Sequence, residues 1–208
     1  MTRRLFIPVT LLAAQKKPKA RDLFYEAAEK PALGVRYTLF REVAGKWQEV
    51  PRGMTLDTGA RVRMLFESNT EGELFLLART ADGKWEPAAP QLPVTIAPDH
   101  PYTLPTGGEW ILDPPAGEEV LYLIFGRKGE ESLKELMKGA GPDPLKTESL
   151  RPEPLMAAAK AKSRDLVLEV TPGPKAEPAS YAVNPSPDPD AKVALEIHIK
   201  HRVPRRTL

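Results

Sequence analysis

The chain has 208 residues, with 30 basic and 28 acidic side chains, 23 prolines, 14 glycines and no cysteine. That length suits one domain with a real core and little more. The missing cysteines exclude disulfides, a lipid-anchored cysteine, thiol nucleophiles and thiolate zinc sites, and the proline load favours short strands and extended linkers over long helices.

The first fourteen residues (1–14) have the order of an export signal. Thr2-Arg3-Arg4 gives a positive start, Leu5 to Leu12 an apolar segment, and Ala13-Ala14 a small-residue cleavage site before Gln15-Lys16-Lys17. The apolar segment is too short to span a bilayer, and the plainer alternative is a core strand preceded by two arginines. Cleavage after Ala14 removes Arg3 and Arg4 and leaves 28 basic against 28 acidic residues. Bulk attraction to nucleic acid then has no basis. Export without disulfides is ordinary in a bacterial periplasm, so the expected location is periplasmic or extracellular, in a bacterium. Residues 15–33 read as a linker in which Leu23, Phe24 and Tyr25 dock one short turn.

A β-rich domain is expected over 34–139. Val35, Tyr37 and Leu39 alternate with Arg36, Thr38 and Phe40, and Ala44-Gly45-Lys46 turns the chain into Trp47–Val50. Leu56–Ala60 reads as a turn. Arg61–Glu67 is a strand with Val62, Met64 and Phe66 on one face, and Glu73–Arg79 follows after a polar break at Ser68–Gly72. Asp82-Gly83 marks a hairpin, because both central residues of the favoured two-residue turn need positive φ. Repeated prolines from Pro87 to Pro105 leave room only for short edge pieces such as Val94–Ile96. Glu109–Leu112 is a further strand, Asp113–Gly117 a turn, and Glu119–Phe125, apolar on both faces, a central strand covered on both sides. Leu133, Leu136 and Met137 have helical spacing within Glu130–Lys138, with Gly139 placed to stop that helix.

Residues 140–164 read as a linker with a second short helix at Met156–Lys162. Residues 165–202 add closing strands that pack on the same domain. Leu166–Val170 is one; in the other, Val193, Leu195, Ile197 and Ile199 alternate with Ala194, Glu196, His198 and Lys200. Tyr181–Asn184 is placed among proline-rich loops, and 203–208 is a tail; the basic end, Lys200-His201-Arg202 and Arg205-Arg206, reads as solvated, with an anionic surface or partner as the alternative. The fold class that follows is mainly β: a two-sheet β-sandwich with one or two short peripheral helices.

Several of these features, in order, carry a family resemblance. They are Thr58-Gly59 before Val62, Glu67-Ser68-Asn69 followed by Gly72, and the Asp82-Gly83 hairpin. Tyr102, Leu104 and Pro105 before Trp110, and Pro115–Glu119 leading into Val120–Phe125, complete the set. Together they resemble the bacterial family catalogued as domain of unknown function 4384, over about Val35 to Gly126. The segment from Asp165 through Tyr181–Asn184 to His201-Arg202 resembles the ending of exported stand-alone members. The resemblance implies an exported protein or an accessory domain of the kind joined to caspase-like peptidases and protein kinases, and it implies no activity. Where the family commonly has an aromatic-proline step after the hairpin, this chain has Glu86-Pro87-Ala88-Ala89-Pro90.

Chemistry-bearing residues are sparse. His198 and His201 are three apart on a strand and face opposite ways, and His100 lies in a loop, so solvated histidines explain them better than a metal site. Ser68, Ser132, Ser149, Ser163, Ser180 and Ser186 stand outside any Gly-x-Ser-x-Gly turn, and Gly107-Gly108 is too short to cradle a phosphate. Glu67, Glu73 and Glu86 are the carboxylates that neighbouring strands would bring together for hydrolysis, although solvated strand faces explain them equally well. Trp47, Trp85 and Trp110 are the better lead, as a stacking platform for a sugar or a peptide, with at least one expected in the core.

The resulting expectation is an exported, non-catalytic module that binds or scaffolds a protein or cell-envelope partner, with no cofactor, metal, nucleic acid or membrane span. An envelope-glycan binder using the three tryptophans is the first alternative, and a hydrolase with dispersed carboxylates the second. Any sizeable pocket is expected between a sheet edge and the loops of Pro87–Pro105, lined by polar groups that do not converge, and no two carboxylates are expected to face each other across a closed pocket with the pKa of one strongly raised.

Overall fold

The computed structural model describes residues 18–26, 32–88, 92–127, 152–171 and 179–204. Along the chain come α1 (Ala20–Phe24), β1 (Leu33–Val43), β2 (Lys46–Glu49), β3 (Thr55–Asp57), β4 (Arg61–Ser68), β5 (Gly72–Arg79) and β6 (Trp85–Pro87). Then follow β7 (Val94–Ile96), β8 (Tyr102–Leu104), β9 (Trp110–Ile111), β10 (Gly117–Arg127), α2 (Pro152–Ala161), β11 (Val167–Thr171), β12 (Ala179–Asn184) and β13 (Val193–Arg202). One sheet has the order β11-β12-β1-β4-β8, with β2 also on β1 and β9 also on β4. The other has the order β3-β13-β10-β5-β6, with β7 also on β5. The mainly-β two-sheet sandwich expected from the sequence is the fold, with two short helices described.

Strand alternation sets the layers. Val62, Met64 and Phe66 of β4 face Leu121, Leu123 and Phe125 of β10 and Val193, Leu195, Ile197 and Ile199 of β13 in one buried cluster. Each such side chain contributes roughly 1.5–3 kcal/mol when fully buried. The opposite faces of β5, β10 and β13 carry Phe75, Leu77, Ile124 and Ala194, and α2 covers them with Leu155, Met156 and Ala159. β10 is therefore covered on both sides, as its apolar run requires. Gly72 shows how tight the core is: a Cβ there would sit 2.3 Å from a ring carbon of Phe125.

Short side-chain bridges tie the peripheral pieces down. Asn69 accepts the Gly34 N–H at 2.8 Å and donates to the carbonyls of Ala32 (2.8 Å) and Phe24 (3.2 Å), fastening α1 to the sheet. Buried Asn184 donates to the carbonyls of Lys192 (2.7 Å) and Lys162 (3.0 Å), and Ser163 donates to Lys192 O at 2.7 Å, joining the end of α2 to the β12–β13 connection. The Ser68-Asn69 step that carries part of the family resemblance thus has a structural role here, since Ser68 also donates to Thr70 O at 2.8 Å.

The structure corrects several local readings. Leu56 belongs to β3, pairs in parallel with β13 and is buried, so the turn begins only at Thr58. Tyr181–Asn184 lies in β12, which joins β11 to β1. The second helix starts at Pro152 rather than Met156, because proline is accommodated in a first helical turn, whose N–H groups have no intrahelical acceptor. The strand at Glu109–Leu112 shrinks to Trp110–Ile111. The two-residue turn with positive φ at both centres is Ala44-Gly45 (50° and 76°), whereas the Asp82-Gly83 hairpin is a longer loop in which only Gly83 has positive φ (87°). In the 15–33 linker the docked turn is anchored by Ala20 and Phe24, while Tyr25 is exposed. The segment 1–14, the helix expected over Glu130–Lys138, the loop Pro172–Pro178 and the pair Arg205-Arg206 lie outside the described residues. Among the described residues no helix is long and apolar enough to cross a membrane.

Candidate functional site

One end of the sandwich holds a cleft of about 240 Å³. It lies between the β5–β6 hairpin and the β9–β10 turn, and Glu119, Leu121 and Ile199 of β10 and β13 also line it. Its walls include Pro87, Ala88, Trp110, Leu112 and Pro114, and Ile111, which is 53% exposed, also lines it. Four acidic residues are among those that line it: Asp82, Glu86, Asp113 and Glu119. The expected position beside Pro87 holds.

The hairpin is fixed by its own polar groups. Thr80 N–H donates to Lys84 O (2.9 Å), Gly83 N–H to Thr80 O (2.8 Å), and the Thr80 hydroxyl to Asp82 Oδ1 (2.5 Å). Lys84 Nζ lies 2.6 Å from Asp82 Oδ2. Hydrogen bonds from Lys84 and then Thr80 hold the Asp82 carboxyl down at about 2.

Glu119 differs from the other three, which are exposed. Only 8% of the residue is exposed. Its Oε1 accepts the Ala81 N–H at 3.3 Å and lies 3.5 Å from His201 Nε2. Burial pushes its carboxyl above the ordinary value, and Glu86 and Asp82 push the same way; the Ala81 N–H and His201 oppose them. His201 is 4% exposed, its Nδ1 is 3.1 Å from the Thr58 hydroxyl, and its Nε2 makes no hydrogen bond. Thr58 is held there by its N–H donating to Arg202 O at 2.7 Å. The Thr58–His201 pair does not line the cleft.

The three tryptophans are not brought together. Trp47 is on the outer face of the first sheet, with the Arg63 guanidinium carbon 4.1 Å from its ring centroid. Trp85 is on the outer face of the second sheet, 4.9 Å from the Tyr122 ring and against the cluster under α2. Trp110 faces inward, donates from its indole N–H to Ala88 O at 3.0 Å and lines the cleft. Each is only partly exposed. The expected carboxylate trio also separates. Glu67 pairs with Arg36 at 2.9 Å on the outer face of the first sheet, Glu73 lies outward on β5, and only Glu86 reaches the cleft. The strand does turn His198 and His201 to opposite faces, but His201 is buried rather than solvated; His198 and His100 are exposed. Among the described residues, no three or more histidine or acidic side chains are grouped to hold a metal ion.

Glu119 and His201 were detectable by strand parity. Glu119 continues the inward stripe Leu121-Leu123-Phe125, and His201 continues Val193-Leu195-Ile197-Ile199, so each is a polar residue at a core-facing position. Asp82 and Asp113 carried no such signal, because turns are their ordinary place. Comparison with protein-family models, curated proteins and solved structures finds no match in any of the three.

Proposed function

We propose that the chain is an exported, non-catalytic β-sandwich module that docks a protein or cell-envelope partner at the cleft end of the sandwich. The observation that carries this reading is the cleft itself. It combines an exposed apolar side chain, Ile111, with four carboxylates and no hydroxyl–imidazole pair among its lining residues. Exposed apolar surface beside polar groups is the composition of a recognition site. The order of charged, apolar, small and polar residues over 1–17 supports export. The resemblance to the family of domain of unknown function 4384 supports the accessory role, and we propose membership on that basis.

A hydrolase reading has one point in its favour, since Asp82 and Glu119 are displaced in opposite directions within one cleft. It is the weaker reading, because Asp82 is on the surface and already neutralised by Lys84. The glycan reading needs indoles on a common face, and Trp47, Trp85 and Trp110 occupy three different faces. The docking reading is tested by placing a photo-crosslinking residue at Ile111 in the native host, with Lys46 as a distal control. A discrete adduct from position 111 alone is expected. Equal capture at both positions, or none at 111, refutes docking at the cleft.

A further inference from the structure

We propose that the buried Glu119–His201 pair holds a single proton between its facing atoms and serves as a pH-sensitive clasp, closing β3 and the β5–β6 hairpin onto β13 and β10. The clasp is a property of the chain itself and does not depend on what docks at the cleft.

A buried nitrogen without a partner carries the inference. His201 is 4% exposed and its Nε2 makes no hydrogen bond, although Glu119 Oε1 lies 3.5 Å away. Native structures rarely leave such a group unmet, because it retains its desolvation cost. The other ring nitrogen is served: Nδ1 is 3.1 Å from the Thr58 hydroxyl, which donates or accepts as the ring requires. One proton between Nε2 and Oε1 satisfies both atoms, as an imidazolium facing a carboxylate or as a neutral ring facing a carboxyl. With no proton, two lone-pair atoms face each other out of water. With two, a buried imidazolium faces a neutral carboxyl. Burial favours the singly protonated pair.

The pair sits where the structure is thinnest. β3 has three residues, stands at the end of its sheet and, among the described residues, pairs only with β13. Beyond it Thr58 N–H donates to Arg202 O and Gly59 N–H to Leu112 O, both at 2.7 Å. On the far side of the pair, Glu119 Oε1 accepts the Ala81 N–H at 3.3 Å and so ties the hairpin to β10. Polar contacts thus run from Thr58 through His201 and Glu119 to Ala81. Short edge pieces held by few contacts open at lower cost than the core. A charge change in the middle of this chain acts first on their opening.

The direction follows from proton counts. Glu119 is the titratable group that meets His201, and Asp82 in the hairpin and Glu86 on β6 act on Glu119, favouring retention of its proton as burial does. Asp57 of β3 is turned to Arg202, while Glu118, His198 and Lys200 lie on the opposite, exposed face of β10 and β13. Opening returns both groups of the pair to water. Above the ordinary imidazole range the opened pair carries no proton and the closed pair carries one, so raising the pH opens the clasp. Between the ordinary carboxylate and imidazole ranges both states carry one, and pH has no effect.

The test is amide hydrogen exchange of the full chain, read by NMR from about pH 5 to about pH 9, with the base-catalysed rise common to all amides removed. Opening at the Thr58, Gly59 and Ala81 amides is expected to increase by up to about tenfold per pH unit above neutrality, the signature of one linked proton. The Lys192 amide, bonded to Lys162 O at 3.0 Å beside the other end of β13, is expected to show no such increase. Glu119→Gln has no proton to release and should flatten the slope at all three amides, whereas Glu67→Gln should leave it unchanged. The same slope in Glu119→Gln as in the unaltered chain, or the same slope at Lys192 as at the clasp, overturns the proposal. If Glu119→Gln does not fold, the unaltered chain decides the question, because opening at Thr58 and Ala81 that is independent of pH refutes the shared proton.

Discussion

Glu119 pairs with Ile199 across β10 and β13, and the residues two steps further along the same face, Leu121 and Ile197, are core. A carboxylate in that position is ionised at a cost, because burial lifts its pKa above the unfolded value. A carboxyl with a raised folded pKa binds more protons in the folded state. Its contribution to stability is therefore full below the unfolded pKa and declines as pH rises through the folded pKa. Asp190 and Glu196 act oppositely. Lys162 and Lys160 hold their carboxyls below the ordinary value, so their stabilisation is present above that value and lost on acidification. Glu119→Gln keeps an acceptor for the Ala81 N–H and removes the charge. Denaturant unfolding across mildly acidic to neutral pH should show the variant at least as stable as the unaltered chain at neutral pH, with the falling limb flattened. An unchanged pH slope would show that Glu119 is not desolvated in the folded protein. The same parity that places Glu119 also makes it legible in the sequence, whereas its neighbour Asp113 is indistinguishable by type from any turn aspartate.

At the scale of elements, the strands with clean alternation were legible and the short ones were not. β4 and β13 present apolar residues at period two, and their predicted faces match the buried cluster, while the continuous apolar run of β10 matches its cover on both sides. β3 has three residues and one apolar contact, Leu56, so its pairing with β13 is a tertiary fact with no local signature. β12 was obscured by the prolines on both sides, although Tyr181 and Val183 face α1 while Ala182 faces the core. The α2 helix was legible by composition, but its role was not, since Leu155, Met156 and Ala159 declare a buried face only against Phe75, Ile124 and Ala194. β13 is the element on which both layers converge. Ile197→Ala is expected to cost roughly 2–5 kcal/mol, the range for truncating a buried aliphatic side chain. Val170→Ala on edge strand β11, where the side chain is exposed, should stay within about 0.5 kcal/mol. Denaturant midpoints of the two variants give the comparison, and similar losses in both would contradict the layering described.

For the whole molecule, the working compartment is the property that most constrains a partner. Residues 1–17 have the order of an export signal, with Arg3 and Arg4 before the apolar segment and Gln15-Lys16-Lys17 after Ala13-Ala14. The described part of the chain begins after that segment, at residue 18. Its first described element, α1, begins at Ala20 and is secured by Phe24 packing on Tyr181 and Val183 and by Asn69 bridging to Phe24 O. Among the described residues, the buried cluster between the sheets begins at Leu33. An oxidising compartment also makes no demand that this chain fails to meet, since it has no thiol to oxidise. Processing after Ala14 would leave equal numbers of basic and acidic residues, so net charge would not steer a partner. Mass spectrometry of the protein recovered from its native host is expected to find a mature chain starting near Gln15 in the periplasmic or secreted fraction. An intact chain retaining Met1 and confined to the cytoplasm would remove both the signal reading and every envelope partner from consideration, while leaving the cleft and its chemistry to be matched to a cytoplasmic protein.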